Sequence, residues 1–253
     1  MLSLQSASLL GSLVDLGSTG HDRATYQAVK DAGHSGVILD LQTGGWTADA
    51  AAATQAGLGF AVFQGYYAPD WADPAKAQAR AHYAVDQAAA VGYPKGAHVF
   101  LDWEQVALSI PAALSWINTW AAVVVQAGYA AGLYVGVPQP LSGEDLYGLI
   151  PNVHLYWRSL SGSTVDVAAR GYAIRQSAGP IIAGVAFDAD HSGHDALGGH
   201  LIGAIAPPPT DPLQAAVTTL TQENAALHTQ VDALTMTTTQ LRAKIAAAQA
   251  ALI

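Results

Sequence analysis

The sequence has no cysteine, only ten lysines and arginines, and no apolar run long enough to cross a bilayer. Without cysteine there are no disulfides, no thiolate chemistry and no cysteine-based zinc site, and the redox compartment stays open. Scarce cations set against nineteen acidic residues give a formal net charge of -9. That balance excludes nucleic acid as a partner, since phosphates need a basic face. It excludes an anionic membrane surface for the same reason. The stretch of ~18–20 apolar residues that a transmembrane helix requires is absent, so no membrane partner is expected. The opening MLSLQSASLLGSLVDLG has no basic region and runs straight into a strand-like segment. A Sec signal peptide is therefore not expected. A chain of this kind working outside a cell would leave by lysis, by a non-Sec route, or as part of a particle.

What is present is a hydrophobic share of 51% with 11% charged residues, which excludes disorder. The length of 253 residues allows one large domain and an appendage. The sharpest boundary is Pro207-Pro208-Pro209-Thr210-Asp211-Pro212, read as a stiff proline-rich linker over 207–212. Asp211 then reads as a helix N-cap, with Pro212 at the first helical position.

From Leu213 to the end the chain keeps a heptad register. One row is Leu213, Leu220, Leu227, Leu234, Leu241 and Ala248; the other is Val217, Asn224, Val231, Thr238, Ile245 and Leu252. The unbroken 4,3 spacing predicts a left-handed parallel coiled coil over 213–253, a stalk making the chain a homo-oligomer. Leucine in one row against β-branched residues in the other fits a dimer, with Asn224 fixing the register. The flanking Thr, Gln and Ala do not select a partner by charge, so a trimer is equally open.

Residues 1–206 alternate strand-like and helix-like segments. Strands are predicted at 12–16, 36–41, 59–64, 98–103, 132–137, 154–157, 172–176 and 185–188. Helices are predicted at 22–32, 47–56, 74–91, 111–127 and 143–149. This rhythm predicts an α/β fold, an irregular TIM-like (β/α) barrel of eight strands. The last two strands are separated by only eight residues, too few for a parallel crossover. The second half of the barrel is therefore expected to be degenerate.

In such barrels chemistry gathers at the C-terminal strand ends. Those ends carry Asp15, Asp40, Tyr66, Tyr67, Asp102, Trp103, Glu104, Tyr134, Trp157 and Asp188. Acids on apolar strands are costly unless paired or used. In FLDWE the two carboxylates are two residues apart and leave the strand on one face. A neighbouring carboxylate and partial burial beside Trp103 would keep Glu104 protonated enough to act as a general acid. The aromatics at the rim, with Trp46, offer flat surfaces for sugar rings.

The order VDLG, FLDWE, GLYVG, LYWRS, IRQS and VAFDAD resembles glycoside hydrolase family 25, the muramidases. It is similar still more closely to relatives known only as glycoside-hydrolase-like domains. The resemblance covers roughly residues 11 to 192, and its most specific element is the Asp-x-Glu strand. It implies that Glu104 is the general acid and that Asp102 tunes it or steadies the reacting sugar. It implies that Asp15 is the first-strand acid on the floor of the site and Asp188 the last-strand acid, with Asp190 as a competitor because that strand's direction is open. Where muramidases commonly carry Trp-Gln-Tyr, this chain has Arg175-Gln176-Ser177. Gln176 stays with Tyr66, Tyr67, Trp103, Tyr134 and Trp157 as an expected substrate-binding residue.

The stretch holding His191, His194 and His200 with Asp188, Asp190 and Asp195 fits no standard zinc spacing. No metal and no cofactor are expected. Two functions follow. One is hydrolysis of a β-1,4 bond in bacterial cell-wall glycan by a muramidase-type enzyme on an oligomeric stalk. The other is a glycan-binding or structural component of a phage particle, in the capsid or a tail fibre or spike, alongside other virion proteins.

Overall fold

The computed structural model describes residues 1–65 and 73–207. Tyr66, Tyr67 and the heptad segment 213–253 lie outside the described residues, as does the linker beyond Pro207.

Eight strands close a barrel. In chain order they are β2 (Gly11–Leu16), β3 (Gly36–Asp40), β4 (Gly59–Gln64), β5 (His98–Trp103), β6 (Ala130–Val135), β7 (Val153–Arg158), β8 (Ile174–Ile182) and β9 (Val185–Ser192). The ring runs β4-β3-β2-β9-β8-β7-β6-β5, and β5 pairs back onto β4. Seven of these strands run parallel to one another. The exception is β9, antiparallel to both β8 and β2. A hairpin thus replaces the last crossover, with Ala183 and Gly184 joining β8 to β9.

Helices α1 (Arg23–Asp31), α2 (Trp46–Ala56), α3 (Pro74–Val91) and α4 (Ile110–Gln126) follow β2 to β5. After β6 comes only the six-residue α5 (Gly143–Gly148). The Asp22 side chain caps α1 by accepting the Thr25 N–H, and Asp73 caps α3 by accepting that of Ala75. A two-stranded antiparallel ribbon was not anticipated: β1 (Gln5–Ser8) with β10 (Ile202–Ile205), joined to β4 through Ala204 opposite Phe60. Among the described residues no helix is long and apolar enough to cross a membrane.

Strand alternation divides the apolar residues into two cores. Val14, Val37, Leu39, Val62, Val99, Leu101, Leu133 and Tyr156 face outward and pack with the helices. Leu13, Ile38, Ala61, Phe63, Phe100, Leu155, Trp157 and Ile174 face inward, with Leu9 and Leu201 joining them. Moving up a strand by two residues keeps the inward face, so Leu13 leads to Asp15, Ile38 to Asp40 and Phe100 to Asp102. The barrel is thereby apolar at its waist and acidic at its C-terminal mouth.

At the opposite end, His98 opens β5 and is 8% exposed, and its Nδ1 accepts the Ile202 N–H at 3.1 Å. Burial pushes the imidazole down to about 4, with the Ile202 carbonyl opposing and His200 and His154 adding to the fall. The folded chain holds His98 neutral, whereas the unfolded side chain takes up a proton near pH 6.5. Its contribution is complete above that pH and is lost as pH falls toward 4, up to about 3 kcal/mol. A His98→Asn variant keeps an acceptor for Ile202 without the titration. Denaturant melts are expected to show it losing less stability than wild type between pH 6.5 and 4. Parallel losses in the two proteins would contradict this placement.

Candidate active site

Asp15, Asp40, Asp102, Glu104 and Asp188 line one cavity of about 330 Å³ at the barrel mouth, with Phe63, Tyr134, Trp157 and Gln176. Four different strands deliver these acids, and Glu104 stands one residue past the end of β5. Room for two of them is made by glycines. A Cβ on Gly136 would lie 2.4 Å from the Glu104 Cβ, and one on Gly65 would lie 2.9 Å from Asp40 Oδ2. A side chain at either position would push a carboxylate out of place.

Burial pushes the Glu104 carboxyl above its ordinary range. The cause is loss of solvent. Burial raises Asp188 and Asp40 too; for Asp40 the Gln42 and Gly65 backbone N–H groups, at 3.0 and 3.1 Å, oppose the rise. Asp15 and Asp190 form a coupled pair. Both are raised, chiefly by burial, and Asp190 the more.

Gln176 organises the mouth. Its Nε2 donates to Asp15 Oδ2 at 2.7 Å and to Asp188 Oδ2 at 3.5 Å, while its Oε1 accepts the Tyr134 hydroxyl at 2.9 Å. Arg175 on the same strand faces out, its guanidinium 5.8 Å from the Tyr172 ring centroid. No lysine or arginine lines the cavity among the described residues.

Several expectations need correction. Trp103 does not reach the mouth: it is fully buried in the outer core and packs against Trp116 at 5.8 Å. The alternation that turns Asp102 and Glu104 inward turns the residue between them outward. Trp46 is likewise buried, on α2, donating to Gln87. Trp157 does line the cavity, but only 2% of it is exposed. Phe63, Phe100 and Tyr134 pack against its edges and faces at 4.7 to 5.8 Å. It forms a floor and leaves little ring surface for stacking on a sugar.

The direction of β9 settles the two last-strand acids. Asp188 pairs across from Asp15 at the mouth, and Asp190 lies one step deeper across from Leu13. Asp40, read from the sequence as a strand-end acid without an assigned role, ends β3 and joins the cavity. The histidine-rich stretch is a structural turn. Asp195 accepts the Leu197 and Gly199 N–H groups at 2.9 and 2.8 Å and pairs with Arg170 at 2.7 Å. His194 and His200 face one another with centroids 5.1 Å apart. Among the described residues no cluster of three or more ligating side chains could hold a metal ion.

A family model described as the Rv2525c-like, glycoside hydrolase-like domain matches residues 27–178, more than half of the chain. The match includes Asp102, Glu104 and Gln176 and stops short of Asp15 and Asp188. No curated protein sequence matches the chain. Among solved structures, an uncharacterized B. stearothermophilus protein is 17% identical with a TM-score of 0.56, over 72% of this chain and 95% of that one. The Tat-secreted protein Rv2525c of Mycobacterium tuberculosis, in complex with HEPES, is 17% identical with a TM-score of 0.55, over 75% and 98%. The modular autolysin LytC of Streptococcus pneumoniae is 11% identical with a TM-score of 0.51, over 71% of this chain and 46% of the autolysin. At these identities the likeness is one of fold.

Proposed function

This chain belongs to the Rv2525c-like glycoside hydrolase-like domain family, and on that premise we propose that it is a peptidoglycan-directed hydrolase of the muramidase type, related to glycoside hydrolase family 25. The observation that carries the reading is Glu104, a half-buried carboxyl with raised proton affinity facing a cavity ringed by four further acids. A protonated Glu104 donates to the leaving glycosidic oxygen. Asp102 or Asp188 stabilises the positive charge that develops on the sugar. Asp15, held by Gln176, forms the acidic floor, and Tyr134, Gln176 and the Trp157 floor contact the ring. Tyr66 and Tyr67 remain proposed platforms for sugar stacking. A lining whose charged groups are all acidic suits neutral or cationic sugars. Intact peptidoglycan fits it, because there the lactyl carboxyl of muramic acid is amide-linked to the stem peptide.

Purified cell walls test the reading. Wild type is expected to clear their turbidity best at mildly acidic pH. Binding without clearing at any pH would replace the reading with the second one, a glycan-binding component of a phage particle. One observation favours that alternative: the unbroken heptad over 213–253 suits mounting on a larger assembly. In either case the chain is proposed to work at the bacterial surface as a dimer or trimer, carried on a virion or released by lysis. Multiple copies would strengthen weak single-site binding to a wall. Light scattering on the full chain at micromolar concentration is expected to give two or three times the monomer mass of 26.0 kDa. A monomer would remove the stalk.

A further inference from the structure

Beneath Asp15 the barrel holds a carboxyl group that the proposed chemistry does not use. Asp190 on β9 is 2% exposed and lies across from Leu13 of β2 and Gln176 of β8. Its Oδ1 accepts the Trp157 indole N–H at 2.7 Å. Its Oδ2 is buried and meets no N–H or hydroxyl donor among the described residues; the carboxyl that acts on it is Asp15, on the neighbouring strand β2. Two carboxyl groups share a hydrogen bond only when one of them keeps its proton. Asp15 has the Gln176 amide to stabilise its charge and is nearer the mouth, so the proton belongs on Asp190. The other charged group acting on the pair is Asp188, which also disfavours a second negative charge; no cation acts on either carboxyl among the described residues.

We propose that Asp190 is a positioning residue: it keeps a proton on Oδ2, donates it to Asp15, and so fixes the Asp15 carboxylate for the sugar while the pair carries one charge and not two. This rests on reading the mouth as a glycoside hydrolase site. Trp157 anchors Asp190 on one side, and Tyr134 through Gln176 anchors the Asp15 carboxylate on the other. Burial holds the Asp190 proton well above the usual carboxylate range.

Two variants of the full chain test it. Asp190→Asn offers Asp15 a donor and Trp157 an acceptor at every pH; Asp190→Ala offers neither. With reducing-end release as the assay, Asp190→Ala is expected to lower kcat on the order of tenfold to a hundredfold with little change in KM. Asp190→Asn is expected to recover most of that loss. A readout without activity is the Trp157 indole N–H resonance, assigned with Trp157→Phe. It should shift in wild type as pH rises past neutral and the Asp190 proton leaves, and stay fixed in Asp190→Asn. An unchanged kcat in Asp190→Ala overturns the proposal. So does an indole signal that does not titrate in wild type or still titrates in Asp190→Asn. An indole titration confined to wild type, in a protein that releases no reducing ends, keeps the proton-bearing pair and removes the hydrolase reading.

Discussion

Glu104→Gln is expected to lower turnover of cell-wall glycan by roughly a hundredfold to ten-thousandfold, the range of a lost general acid. Glutamine keeps the volume and the hydrogen-bonding reach of the side chain beside Gly136, so binding of glycan fragments should change by less than about twofold. Burial raises the Glu104 carboxyl. The protonated form therefore persists above the ordinary carboxylate range and is lost as pH rises through the folded value. Activity is expected to fall on that alkaline side. It should fall on the acid side as well, where the carboxylates that stabilise the sugar cation take up protons. The checks are a kcat profile against pH for wild type and a fragment titration of the variant. A variant that binds normally but keeps wild-type turnover would remove Glu104 from the chemistry.

Trp103→Ala is expected to cost about 3–5 kcal/mol of stability, the usual range for emptying a large aromatic site in a core. For a domain of this size that corresponds to a fall of roughly 10 °C in Tm. The ring is fully buried between β5 and α4, with the Trp116 centroid 5.8 Å away. Little of the cavity can collapse to fill the space, because the strand and the helix are both tied into the closed barrel. Trp103→Phe should recover a large part of the loss and bind glycan as wild type does. Calorimetry with a fragment titration separates the alternatives. A Trp103→Phe protein with unchanged Tm and abolished glycan binding would place the ring at the mouth and not in the outer core.

Much of the barrel could be read before any coordinates, because apolar strands covered on both faces are distinctive runs. All eight barrel strands and five helices fall at the predicted places, with most ends displaced by no more than two residues and the end of β8 by six. The reversed β9 could be bounded but not oriented: the eight residues between the two predicted strands exclude a parallel crossover without saying which acid reaches the mouth. Only the pairing of Asp188 with Asp15 supplies that. The ribbon of β1 and β10 was invisible because four-residue strands such as QSAS and IGAI carry no pattern. They form through contacts almost two hundred positions apart in the chain. At the mouth, Asp102 and Glu104 were legible from their two-residue spacing. The same alternation, followed one residue further, would have removed Trp103 from the rim. Asp40 was legible by position as a strand-end acid, but no pattern gave it a role. Gln176 as the hub of the acids and Asp190 as a buried partner of Asp15 depend on cross-strand neighbours that no local pattern encodes.

The central claim is cleavage of a wall glycan by the acids at the barrel mouth. The most direct measurement is the release of new reducing ends from purified peptidoglycan, with the terminal sugar identified by mass spectrometry, from roughly pH 4 to 8. A muramidase-type site predicts new ends bearing muramic acid, maximal at mildly acidic pH and absent with Glu104→Gln. Wall binding by wild type with no new reducing ends at any pH would contradict it.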